Sequence, residues 1–268
     1  MAILIGHARS GTTFLARALG SHPEVGYWEE PSLLLRADEK LRWVTKLADH
    51  LVVDASVRDL SRTVRDGNLR DQFGQEADLD EADAEAVRLR VMRSVVEALR
   101  NEFLARSGGS VLLEKTPREI ILADQIAGWF PDAKIIHIVR DGRDVVCSGL
   151  TWEERWGRPK WVPKDGPLLD AIAQQWATQV GAALAGAGSE TLVVRYEDLV
   201  ANGRHTVAAC VSHLELPWKR SIDHFMATGM GGLHSRSVGR WEQELTREQQ
   251  TRITELAGDT LSAAGYVG

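Results

Sequence analysis

Two short stretches hold residue types that can grip an anion. In "GHARSGTT", Gly6 and Gly11 are separated by four residues, Arg9 lies between them, and Ser10, Thr12 and Thr13 add hydroxyls. An apolar run precedes this turn and helix-forming spacing follows it. Such a turn offers backbone N–H groups and the positive end of a helix dipole to an anion. Thr12 stands where a nucleotide triphosphatase carries its lysine. With Arg9 as the local charge, the loop suits one phosphate, or a phosphate joined to one further group, better than a magnesium-bound triphosphate. In "IVRDGRDVVCS", Arg140 closes an apolar run and Ser148 lies eight residues on, about two helical turns if a helix starts near Asp141. Open parallel sheets bind ligands at the carboxyl ends of their strands, where both stretches fall. Two anion sites on one sheet edge point to a nucleotide phosphorylated in two places. The plain alternative for the first is a structural turn with an exposed arginine.

The elements that must carry these residues follow from the apolar pattern. Strand-length apolar runs occur at Ala2 to Ile5, Val111 to Leu113, Lys134 to Val139 and Thr191 to Val194, with a weaker one at Val25 to Trp28. Most lack polar alternation, which suits strands buried on both faces. Helical periodicity occupies Thr12 to Gly20, Leu33 to Asp49, Ala82 to Arg106, Glu119 to Trp129, Leu168 to Ala185 and Arg204 to Leu214. Strand alternating with helix predicts an α/β fold: a P-loop-type parallel β-sheet with helices on both faces, and a helical insertion after the first strand-helix unit. The expectation is a single domain over residues 1–268, with the insertion at about 31–108 and a Trp-rich loop at about 151–167. Residues 66–84, dense in acidic side chains, read as a solvated surface connection or a lid.

Composition sets limits on partners. A formal net charge of -6 argues against nucleic acid, which needs a sustained basic field, so an anionic ligand must be held by a local cluster. Two distant cysteines, Cys147 and Cys210, are too few for a disulfide framework or a thiolate metal site. The first apolar run is broken at once by Gly6, His7 and Arg9, so neither a signal segment nor a membrane anchor is expected there, and the reading is a cytoplasmic protein.

The chain resembles sulfotransferases that use 3′-phosphoadenosine-5′-phosphosulfate (PAPS), in the branch whose phosphosulfate loop reads "RSGTT" and which includes protein-tyrosine sulfotransferases and many bacterial enzymes. The resemblance rests on "RSGTTFL" (9–15), "HPEVGYWEEP" (22–31), "EKTP" (114–117), "IVRDGRDVVCS" (138–148), "RYEDL" (195–199) and "SVGRW" (237–241), in the family's order. It implies PAPS as sulfuryl donor, adenosine 3′,5′-bisphosphate as product, no metal, and a hydroxyl acceptor on a small molecule, saccharide or lipid. The composition assigns neither the acceptor nor an oligomeric state.

The resemblance also implies roles. Glu30 is the expected base, with Glu29 as its rival because the two alternate faces in an extended chain. Lys115 and Arg9 would stabilise the departing phosphate as charge accumulates in the transition state. Without the resemblance, Glu30 reads as a surface or helix-capping residue before Pro31, and Lys115 as an ion-pair partner of Glu114. Ser10, Gly11, Thr12 and Thr13 with Arg9 would hold the 5′ end, and Arg140 and Ser148 the 3′-phosphate. Tyr196 matches a position near the nucleotide, though a tyrosine closing a strand is also a common core residue. Ser237, Val238, Gly239 and Arg240 would fold over the phosphates with Trp241 behind. Arg143 and Asp144 are expected on a helix surface, His137 buried and hydrogen-bonded, and His22 at the end of the first helix. A magnesium-dependent small-molecule kinase lacks its lysine here. A non-catalytic nucleotide-binding protein would keep Arg9 and Arg140 without needing Glu30 or Lys115.

Overall fold

The computed structural model describes residues 1–29, 68–70, 76–78, 81–229, 233 and 235–266. The expected base Glu30 and the expected helix at 33–49 lie outside the described residues. The chain divides into two compact units, Met1–Ser32 with Leu104–Gly268, and Leu33–Phe103. In the second, β3 (Asn68–Arg70) pairs antiparallel with β4 (Glu76–Asp78), so part of the expected acidic connection is paired strand. The helix α2 (Glu81–Ser107) follows.

The first unit is built on a parallel sheet of β1 (Ala2–Ile5), β2 (Val25–Glu29), β5 (Val111–Lys115), β6 (Lys134–Val139) and β7 (Thr191–Arg195), in the order β2-β5-β1-β6-β7. Pairing is in parallel register throughout, with Ile3 opposite Ile135 and Glu29 opposite Lys115. In β1, β5 and β6 successive side chains are buried whichever way they point: Leu4, Leu113, Ile136 and Ile138 on one face, Ile3, Leu112 and Ile135 on the other. Burial on both sides explains why these strands read as uninterrupted apolar runs.

On the first face, α1 (Thr12–Gly20) contributes Phe14, Leu15 and Leu19 to a core completed by Val207 and Val211 of α7 (Gly203–His213) and Ile222 of α8 (Arg220–Gly229). Between β5 and β6 lie a 3₁₀ turn at Pro117–Leu122 and the short α3 (Ala123–Trp129). After β6, α4 (Gly142–Trp156) packs against α5 (Leu168–Ala185), and α5 in turn against the last helix, α10 (Arg247–Ala263). Short helices α6 (Tyr196–Ala201) and α9 (Trp241–Glu244) complete the unit.

Three expectations are corrected. The Trp-rich loop begins later than expected, because Thr151 to Trp156 continue α4. His137 is buried, yet neither ring nitrogen has a hydrogen-bond partner among the described residues. Asp144 does not serve a helix surface; it is fully buried. His22 follows α1 as expected, held by the Pro217 carbonyl at 2.9 Å and accepting the Glu24 N–H at 3.0 Å. Among the described residues no helix is long and apolar enough to cross a membrane.

Candidate functional site

Apart from Ser148, which lies within α4, every expected site residue that is described lies at or just beyond the carboxyl end of a sheet strand, or on the segment around 237–240. The turn after β1 is tightly constrained. Gly11 caps α1 at φ +86°, and a Cβ there would stand 2.7 Å from the Tyr196 ring, so both backbone and packing demand glycine. Arg9 is itself left-handed at φ 70°, a conformation that costs energy for a residue with a Cβ and is often found at binding sites. The first turn of α1 has N–H groups without intrahelical acceptors, and its residues Thr12, Thr13 and Phe14 line the cavity described below.

Arg140 follows β6 and is 4% exposed. Its Nη1 donates to the Arg9 carbonyl at 2.8 Å and its Nη2 to the Ser237 carbonyl, while its guanidinium lies 4.5 Å from the Tyr196 ring centroid. Its Nε, also buried, has no partner among the described residues, and neither has Ser10 Oγ. The strand end is fixed from behind: Trp176 Nε1 donates to the Arg140 carbonyl at 3.1 Å, and the same indole packs so closely on Gly142 that a Cβ would meet it at 2.7 Å. Asp141 caps α4 by accepting the Arg143 N–H, and its own N–H donates to Glu197, which also accepts the Tyr266 hydroxyl.

One stripe of α4 faces the opening. Ser148 accepts from Arg9 Nε at 3.0 Å, Thr151 accepts from Arg240 Nη2 at 2.8 Å, and the Trp152 ring lies 5.4 Å from the Arg9 guanidinium. Positions 144, 148, 151 and 152 share a helical face, as their spacing requires. Trp156 packs 4.7 Å from Trp152 but remains 65% exposed. Trp161 is folded onto the first loop, edge-on to His7 at 5.5 Å.

Around these groups lies a cavity of about 500 Å³, lined by Arg9, Gly11, Thr12, Thr13, Phe14, Arg17, Arg140, Ser148, Tyr196, Phe225, Ser237 and Arg240. The structure thus brings both expected anion sites into one cavity. Partial desolvation, followed by the charges of Arg140 and Arg240, lowers the Arg9 guanidinium from its ordinary value. Crowded cations of this kind are relieved by an anion.

Lys115 is fully buried at the end of β5. Its Nζ is 3.4 Å from Thr13 Oγ1 and 3.7 Å from Glu29 Oε1, and Glu29 also meets Arg17 at 3.4 Å. Glu114 accepts from Thr116 Oγ1 at 2.7 Å. Lys115 and Arg9, expected to act together, have different partners: Lys115 donates to Thr13 and Arg9 to Ser148. Among the described residues no group of His, Cys, Asp or Glu is placed to hold a metal ion.

Sequence reasoning gave no site role to Phe225, Arg17 or Trp176, placed Trp152 only within the Trp-rich stretch, and put Asp144 on a helix surface. Asp144 carried a local signal, since it lies one helical turn before Ser148 on the same helix.

Comparison with known proteins follows the same lines. A family model described as "Sulfotransferase family" matches residues 2–220. The nodulation protein NoeE of Sinorhizobium fredii is 25% identical over 98% of the chain and 65% of its own length. A Drosophila melanogaster protein-tyrosine sulfotransferase is 23% identical over 82% of the chain and 38% of its own length. The chain therefore spans under two thirds of these relatives. Two solved structures share the fold at a TM-score of 0.55: the sulfotransferase domain from the curacin biosynthetic pathway (16% identity, covering 95% of this chain and 96% of that one) and that of the Synechococcus PCC 7002 olefin synthase (18%, 97% and 94%).

Proposed function

The chain belongs to the sulfotransferase family, and we propose that it moves the sulfuryl group of PAPS to a hydroxyl of a small-molecule, saccharide or lipid acceptor, without a metal. The observation that carries this reading is the convergence of Arg9, Arg140 and Arg240 on one cavity in which a buried Arg140 Nε lacks a partner among the described residues. A doubly anionic nucleotide fits that donor set, and a volume of about 500 Å³ is within the range of small-ligand sites.

In this reading, the first-turn N–H groups of α1 and the hydroxyls of Ser10, Thr12 and Thr13 hold the 5′-phosphate. Arg140, Ser148 and Arg240 hold the 3′-phosphate through charge-assisted hydrogen bonds. Phe225, Phe14 and Tyr196 form the less polar walls available to the purine. The donor supplies an activated sulfuryl group on its 5′-phosphate. Lys115, held beside Thr13, places a positive charge at the loop where the leaving phosphate gains charge, and Arg9 adds a second. Glu30 takes the proton of the acceptor hydroxyl as its oxygen attacks; Glu29 is committed to Lys115 and Arg17 as their counter-ion. Trp152, next to Arg9, and the exposed Trp156 packed on it offer flat apolar faces to an acceptor ring. Cys147 and Cys210, free and buried, suit a reducing cytoplasm.

The test is transfer of label from sulfur-labelled PAPS to a panel of saccharides and phenols. Labelled product with release of adenosine 3′,5′-bisphosphate supports the reading; transfer of phosphate from magnesium ATP instead contradicts it.

A further inference from the structure

Residues 235–241 lie across the mouth of the cavity, and their backbone is tied to α4 by one buried carboxylate. Asp144 accepts the Gly239 N–H through Oδ2 at 2.8 Å and the Trp241 N–H through Oδ1 at 3.1 Å. It is fully buried, and a buried carboxylate is costly unless its oxygens are satisfied. An acceptor-only group with two oxygens meets two backbone donors, and the residues it tethers, Gly239 and Trp241, flank Arg240, which lines the cavity with Ser237. Ser237 receives Arg140, and Arg240 reaches across to Thr151 Oγ1. Two turns of helix separate Asp144 from Thr151, with Ser148 between them on the same face. On the other flank Arg143 stacks 3.7 Å from Trp241, closing the end of the segment.

We propose that Asp144, assisted by Thr151, is a positioning residue that sets the register of the 235–241 strap, so that Arg240 and Ser237 meet Arg140 and Ser148 at the 3′-phosphate end of the nucleotide site. This rests on the PAPS reading of the site. Asp144 touches no ligand in this scheme and acts through Arg240. An amide in its place keeps one acceptor but turns a donor toward a strap N–H, so at least one tether is lost.

The experiment measures binding of adenosine 3′,5′-bisphosphate and of adenosine 5′-monophosphate to wild type, Asp144→Asn, Thr151→Val, Arg240→Ala and the Asp144→Asn/Arg240→Ala double variant, with thermal unfolding of each. Asp144→Asn is expected to weaken the bisphosphate about tenfold or more and the monophosphate less than about threefold. In the Arg240→Ala background the same change should add little, because coupled residues are not additive. Thr151→Val, which leaves the buried carboxylate intact, should weaken the bisphosphate selectively and more mildly. Equal losses for both nucleotides, or effects that multiply in the double variant, overturn the inference while leaving the functional reading in place. If Asp144→Asn does not fold, an unchanged bisphosphate preference in Thr151→Val overturns it. Wild-type protein that binds no bisphosphate overturns the functional reading and this inference with it.

Discussion

Arg140 donates a hydrogen bond to the backbone carbonyl of Arg9 at 2.8 Å, so the arginine ending β6 props the turn that follows β1. The two stretches expected to bind anions, 131 residues apart, are therefore joined directly. On the proposed reading, replacing Arg140 removes a ligand contact and the support of the neighbouring turn together.

Arg140→Ala is expected to weaken adenosine 3′,5′-bisphosphate by about 2 to 5 kcal/mol, the range for removing one partner of a buried charged contact. Arg140→Lys should recover only part of this, since a single ammonium cannot serve two carbonyls and stack on Tyr196 as well. Calorimetric titration of both variants checks this. A lysine variant with full affinity would show that the fork geometry is irrelevant.

Glu30→Gln is expected to abolish turnover while leaving the bisphosphate bound, because it removes the proton acceptor and no phosphate contact. Glu29→Gln should retain measurable transfer, its carboxylate being the counter-ion of Lys115 and Arg17. Single-turnover assays with labelled donor separate the two. Full activity in Glu30→Gln would retire the assignment.

Gly11→Ala should destabilise the protein by about 1 to 3 kcal/mol, as positive φ and the Tyr196 ring both oppose a Cβ. Urea unfolding reads the loss. Unchanged stability would mean that the turn and the ring yield more easily than their contact implies.

The sheet was legible because β1, β5 and β6 are buried on both faces and so keep unbroken apolar runs. The placement of Arg9 and Arg140 was legible because each is encoded within a few residues of a strand end. What escaped was long-range. The tethers of Asp144 reach residues 95 and 97 positions away, and Trp176 supports Arg140 from 36 positions away. The Glu29–Lys115 contact arises from the β2–β5 register, which no local pattern specifies. Thr151 to Trp156 read as loop because the sequence around them is rich in Trp, Gly and Pro, yet the breakers Gly157 and Pro159 come only after the helix ends. His137 departs from the usual pairing of buried polar groups, with no partner among the described residues, and its burial lowers its pKa.

That last feature sets an acid limit. Burial lowers both His7 and His137 from 6.5 to about 4. The unfolded chain therefore binds more protons than the fold between those values, so stability is complete above pH 6.5 and is lost as pH falls toward 4. The loss is on the order of 3 kcal/mol for each histidine. His137→Leu should keep the fold at neutral pH and flatten the decline, read as denaturant midpoints across that window. An identical pH profile in the variant would remove His137 from this account.

The most direct measurement of the central claim is calorimetry with adenosine 3′,5′-bisphosphate in magnesium-free buffer, alongside adenosine 5′-monophosphate. The account predicts saturable binding of the bisphosphate, much tighter than the monophosphate, with that preference lost in Arg140→Ala. Equal affinity for the two nucleotides, or binding confined to magnesium ATP, would contradict it.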